Sequence, residues 1–172
     1  VNNLTIGGND DAAVLDFNMS NLTIPLSENI TSVTLQLYCG SNTNTTFNFV
    51  NVSQTARQRN STADISGLHA DVMGSTVELK KDTLVDCNTN LRKTVNVTFT
   101  NNGTLEVFKI LNLSNANKRT FPIGINVSSI TANQSFDNEL GTNTPVLFFN
   151  TSTTGCGNIN VGGVYTLSNN LL

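Results

Sequence analysis

Apolar and polar residues alternate along most of this chain. The clearest period-two runs are Val33 to Cys39, Val77 to Leu79, Thr94 to Thr100, Phe121 to Val127, Pro145 to Phe149 and Val161 to Leu167. Each directs one set of side chains to a buried face and the other to solvent, as a half-buried strand requires. Fainter alternation covers Leu15 to Met19, Leu22 to Ile24, Phe47 to Val52 and Leu105 to Leu113. Turn-forming clusters separate the runs, among them Ser41-Asn42-Thr43-Asn44, Asn88-Thr89-Asn90 and Asn101-Asn102-Gly103. The spacing is that of an all-β sandwich or barrel.

Helix formers are scarce, and only residues 57 to 73 offer room for a short helical turn. Asn101-Asn102-Gly103 predicts a tight hairpin, because Asn and Gly tolerate positive φ; the runs on either side are expected to pair antiparallel. One segment stands apart. Val1 to Ile6 is strand-like, and Gly7-Gly8-Asn9-Asp10-Asp11 after it is polar and flexible in composition. It can pair within its own domain, as N-terminal strands commonly do, or act as a detached element ahead of a hinge.

Composition narrows the setting. The 172 residues fit one domain, and no apolar run of about 18 residues spans a bilayer. Val1-Asn2-Asn3-Leu4 has neither the basic start nor the apolar core of a signal peptide, so the chain reads as already processed. Charged residues make up 12% and the net charge is −3, which argues against a nucleic-acid surface. Instead, 28 Asn, 24 Thr and 14 Ser supply the polar surface.

The glycosylation sequon occurs thirteen times, at Asn3, Asn18, Asn21, Asn29, Asn44, Asn51, Asn60, Asn96, Asn102, Asn112, Asn126, Asn133 and Asn150. Random placement in this composition gives about six, so the excess points to N-linked glycans and an extracellular setting. Asn96 lies on the polar side of its run, opposite in parity to Val95, Val97 and Phe99. Cys39, Cys87 and Cys156 allow one disulfide and one leftover thiol. Cys39 and Cys87 continue the buried parity of their strands and are the favoured pair. Cys156, in Gly155-Cys156-Gly157, remains open as a partner or a free thiol.

No catalytic constellation emerges, and the chain reads as a non-enzyme without cofactor or metal. His69, the only histidine, lies beside Asp71 with Ser66 and Ser75 nearby, but no framing motif makes a triad of them. Residues 7 to 11 lack the acidic spacing of a calcium loop. Lys80-Lys81 and Lys118-Arg119 read as solvated turn charges. No spacing marks a Lys–Asn cross-link.

A separable apolar strand (Val1, Leu4, Ile6), a Gly7-Gly8 hinge, an all-β body and dense sequons together resemble the subunit of archaeal thread filaments. The resemblance spans the layout of the whole chain, without a diagnostic motif. It implies an Ig-like β-sandwich completed by a donor strand from a neighbouring subunit, as in bacterial chaperone-usher pilins. Residues 1–12 would be the donor strand and hinge and residues 13–172 the pilin domain. Identical subunits would join head to tail in an extracellular, cell-surface filament serving adhesion or biofilm formation. Carried onto this sequence, Val1, Leu4 and Ile6 would fill the neighbour's groove, joined by Ala12 and Val14 if the insertion extends past the glycines. Type IV pilins, which need a long apolar N-terminal helix, are not resembled. The alternative is a monomeric, lectin-like adhesin or glycoprotein ectodomain binding carbohydrate or a surface protein, disfavoured by the absence of Trp and the presence of only two Tyr, Tyr38 and Tyr165. A surface of amides, hydroxyls and sugars does not titrate, so stability is expected to vary little from pH 2 to 7.

Overall fold

A computed structural model describes residues 3–8, 10–22, 28–52, 62–99, 101–112, 119–130, 133–137, 143–153 and 164–168. The chain is mostly β-strand in antiparallel sheets, with few helices. In chain order the elements are β1 (Asn3–Ile6), β2 (Ala12–Asn18), β3 (Glu28–Tyr38), β4 (Asn44–Asn51), α1 (Thr62–Gly74), β5 (Glu78–Asp86), β6 (Thr94–Thr98), α2 (Asn101–Leu111), β7 (Thr120–Ile130), β8 (Gln134–Asp137), β9 (Val146–Thr153) and β10 (Val164–Ser168). Two four-stranded sheets run β10-β9-β3-β6 and β2-β7-β4-β5, and β1 pairs with β8 in a two-stranded ladder.

The alternation does what the sequence leads one to expect. Val33, Leu35 and Leu37 of β3 turn inward, while Ser32, Thr34, Gln36 and Tyr38 stay partly solvated. Buried residues of both four-stranded sheets form one cluster, which includes Leu35, Leu147 and Phe149 from the first and Phe17, Phe47, Phe49 and Ile123 from the second. Phe47 packs against Phe49 and Phe136 at centroid separations of 6.3 and 5.8 Å. The outward face of β3, β6 and β9 is knit by polar side chains: Thr34 bonds Thr98 at 2.9 Å, Gln36 Nε2 donates to Asn96 Oδ1 at 3.1 Å, and Asn150 Nδ2 donates to Ser32 Oγ at 2.8 Å.

Strand β7 is buried on both faces from Phe121 to Val127, because α1 covers the outer side of its sheet. Val72 of α1 joins Val14, Val50 and Val52 in a second apolar cluster, with Leu68 packed against it one helical turn earlier. Gly124 makes this closeness possible. A Cβ there would stand 2.8 Å from Val50 Cγ2, 2.9 Å from Val52 Cγ1 and 3.0 Å from Val72 Cγ2.

Two expectations are corrected. Residues 57 to 73 promise one turn of helix, whereas α1 runs 13 residues. More sharply, Asn101-Asn102-Gly103 forms no hairpin: it opens α2, and β6 pairs with β3. Gly103, Val107, Ile110 and Leu111 recur at helical spacing, with Val107 fully buried and Ile110 and Leu111 packed on the core. Gly103 serves close approach here, since a Cβ on it would lie 2.6 Å from Phe99 Cβ. Asn102 Nδ2 donates to the Glu78 carbonyl at 3.1 Å, tying the first turn of α2 to β5. The short strand β8 has no counterpart in the alternation pattern, and Leu22 to Ile24 lies largely outside the described residues.

Cys39 and Cys87 form a disulfide with Cα atoms 5.4 Å apart, the pairing favoured from parity. It joins the ends of β3 and β5, which belong to different sheets. Constraining a loop of 48 residues contributes about 4 kcal/mol on a chain-entropy account. The bridge fits an oxidising, secreted or extracellular setting. No helix among the described residues is long and apolar enough to cross a membrane. Cys156 lies outside the described residues.

Candidate functional site

The chain start occupies a defined slot. β1 is only 4 residues long, and among the described residues its single ladder partner is β8, with Asn3 opposite Asp137, Leu4 opposite Phe136, Thr5 opposite Ser135 and Ile6 opposite Gln134. Alternation sends Ile6 into the main core at 1% exposure and packs Leu4 against its margin, while Thr5 faces solvent. β8 is in turn anchored to the end of β3, through the Cys39–Phe136 bridge and a Gly40 N–H to Ser135 carbonyl bond of 2.9 Å. Removing β1 would therefore uncover both the apolar seat of Ile6 and the free edge of β8.

The slot also holds a polar group. Gln134 is fully buried; its Oε1 lies 2.9 Å from Thr43 Oγ1, but its Nε2 meets no hydrogen-bond partner. A buried donor left unpaired costs about 1 to 3 kcal/mol, which weakens the closure locally.

A tight turn links β1 to β2. Gly7 N–H donates to Asp11 Oδ2 at 2.8 Å, and Asp11 N–H donates to the Gly8 carbonyl at 3.1 Å. A Cβ on Gly7 would stand 2.8 Å from Asn133 Oδ1, so a side chain there would require the exposed Asn133 carboxamide to turn aside. His69 reaches across from α1 and its Nε2 lies 2.5 Å from the Asp10 carbonyl. The histidine thus ties α1 to the turn. Ser75 Oγ donates instead to the Asn51 carbonyl at 2.6 Å, so no Ser–His pair forms.

The turn separates Ala12 and Val14 from Leu4 and Ile6. Ala12 and Val14 do not share a face with Leu4 and Ile6: they belong to β2, paired with Asn126 and Gly124 of β7. Val14 sits in the cluster under α1, whereas Ala13, Leu15 and Phe17 face the main core. In the single chain β1 rests in its own chain's slot, and Val1 lies outside the described residues.

The sequons sort by exposure. Asn21, Asn29, Asn96, Asn102, Asn112, Asn133 and Asn150 are exposed, and Asn18 and Asn44 are half-buried. Asn126 is not open to a glycan. It is 8% exposed beneath α1, donating from Nδ2 to the Val72 carbonyl at 3.2 Å and accepting from Asn48 Nδ2 at 3.0 Å. Asn51 is likewise committed inward, its Nδ2 donating to Glu106 Oε2 at 2.8 Å. Asn3 lies on β1, and Asn60 falls outside the described residues.

Among the described residues no group of three His, Cys, Asp or Glu side chains is placed to hold a metal ion. Lys81 pairs with Glu78 at 3.5 Å on the surface. Comparison with protein-family models, with curated proteins and with solved structures finds no match to this chain.

Proposed function

We propose that the chain is a structural subunit of an extracellular, N-glycosylated filament, with an Ig-like sandwich body and β1 as an exchangeable closing strand. The observation that carries this reading is the slot itself. A strand of 4 residues with one ladder partner among the described residues, buried through Ile6 and hinged at Gly7 and Gly8, makes contacts that an identical strand from a second copy can make equally well. Exchange of an identical element between protomers needs no new interface, and repeated head to tail it builds an open fibre. In this reading β1 fills its own slot in the lone chain and the neighbour's slot in the polymer. Leu4 and Ile6 supply the insertion, residues 7–11 extend into the linker, and Ala12 and Val14 stay with the body.

The pairing of β1 within its own chain favours a second reading, a self-closed monomeric adhesin or ectodomain. A reversible lock separates the two. Thr5 and Ser135 are directly opposed, so Thr5→Cys with Ser135→Cys fixes β1 in its own slot on oxidation. The filament reading expects the oxidised variant to remain monomeric at concentrations where the unlocked chain forms fibres visible by negative stain. An unlocked chain that stays monomeric under all assembly conditions supports the adhesin.

A further inference from the structure

Away from the β1 slot, α2 and the end of β4 bring an amine, a carboxamide and a buried carboxylate together. Glu106 is 8% exposed; its Oε1 accepts from Lys109 Nζ at 2.6 Å and its Oε2 accepts from Asn51 Nδ2 at 2.8 Å. Glu106 and Lys109 lie one helical turn apart on α2, but Asn51 arrives from the sheet, far away in sequence. A helix-surface ion pair has no need of that third member.

Asn51 is rigidly presented. Its backbone N–H donates to the Val77 carbonyl at 2.9 Å, and its own carbonyl accepts from Ser75 Oγ at 2.6 Å. Its side-chain Oδ1 is buried and accepts no hydrogen bond, so the carboxamide is held by Nδ2 alone. Lys109 is the mobile partner, with a side chain 60% exposed on a flexible stem.

We propose that Lys109 and Asn51 join in an isopeptide bond, with Glu106 as the catalytic acid and base. Lys109 Nζ first gives a proton to the Glu106 carboxylate and, as the free amine, attacks Asn51 Cγ. Glu106 then delivers a proton to Nδ2 while taking the second proton from Nζ. The Cγ–Nδ2 bond breaks, ammonia leaves, and it takes up the proton held by Glu106. One lysine ammonium and one carboxamide become one secondary amide and one ammonium ion, with no oxidation or reduction and no cofactor. A cavity of about 340 Å³ lined by Asn51, Gly74, Ser75 and Val77 gives ammonia a way out. The carboxylate holds both reacting groups at once, and that positioning replaces a bimolecular encounter. The product bond would brace α2 against β4, and its loop would interlace with that of the Cys39–Cys87 disulfide.

The test is the mass of the full chain made in a host that adds no glycans, before and after prolonged incubation at mildly alkaline pH. The expected result is loss of the mass of one ammonia and a branched proteolytic peptide joining residues 51 and 109. Glu106→Gln and Lys109→Arg should both keep the full mass. Lys109→Arg retains the ion pair on an exposed stem, so it reports even if the Gln variant misfolds. Full mass in the unsubstituted chain, with Asn51 and Lys109 recovered in separate unmodified peptides, overturns the proposal. So does an ammonia loss that maps to a succinimide at another asparagine.

Discussion

Leu4 stands directly opposite Phe136 in the β1–β8 ladder, and two residues on, Ile6 is sealed against the core at 1% exposure. The short strand therefore closes the molecule through essentially one buried side chain. Ile6→Ala should cost about 2 to 5 kcal/mol, the usual range for emptying a buried aliphatic site. Chemical denaturation measures it. Hydrogen exchange should show the β1 amides opening at lower free energy than those of β3, which is paired on both sides.

Gly103→Ala is expected to destabilise although Ala is the better helix former. The new methyl would have to displace Phe99 Cβ from 2.6 Å, and overpacking of this kind costs about 1 to 3 kcal/mol against a propensity gain of about 1. A higher denaturation midpoint in the Ala variant would contradict the packing.

How far the fold was legible in the sequence follows from these same residues. Period-two alternation marks β3, β6 and β9 well, since each has one face on the core and the other toward solvent, while β7 is legible although α1 buries its second face too, and parity alone favours the Cys39–Cys87 pair. The Asn-Gly pair misleads because a glycine signals either positive φ or close approach, and only the packing partner, Phe99, decides between them. Strand β8 escapes notice because Gln134-Ser135-Phe136-Asp137 carries one apolar residue, too few to show a period. Alternation identifies the buried face of β1 but not the chain whose core receives it. The meeting of Asn51, Glu106 and Lys109 is a tertiary event, with no local spacing to announce it.

Occupancy of the sequons should follow exposure. Glycopeptide mapping of the native protein is expected to find sugar at Asn21, Asn29, Asn96 and Asn150 and none at Asn126 or Asn51. A fully occupied Asn126 would be incompatible with α1 resting where it does.

The response to acid should be shallow, with one identifiable contributor. Asp86 is held below the ordinary carboxylate value of 3.8, first by the Thr89 hydroxyl and then by the Thr89 backbone N–H. A folded value below the unfolded one means that its stabilisation is fully present above the unfolded value and fades as pH falls through the folded one. Asp86→Asn should therefore flatten the acid limb of the stability curve below about pH 4, lying slightly below the unsubstituted chain at neutral pH and converging with it in strong acid. Unfolding midpoints from pH 2 to 7 check this. A steep acid transition surviving in the variant would place the sensitivity elsewhere.

The placement of α1 makes the molecule two-sided. Asn29, Asn96 and Asn150 all emerge from the uncovered face of β3, β6 and β9, while the corresponding asparagine of the other sheet is roofed over and α1 itself carries no asparagine. Carbohydrate on these three would then clothe that broad flank. Lateral contact between like molecules across that flank would have to accommodate the sugars.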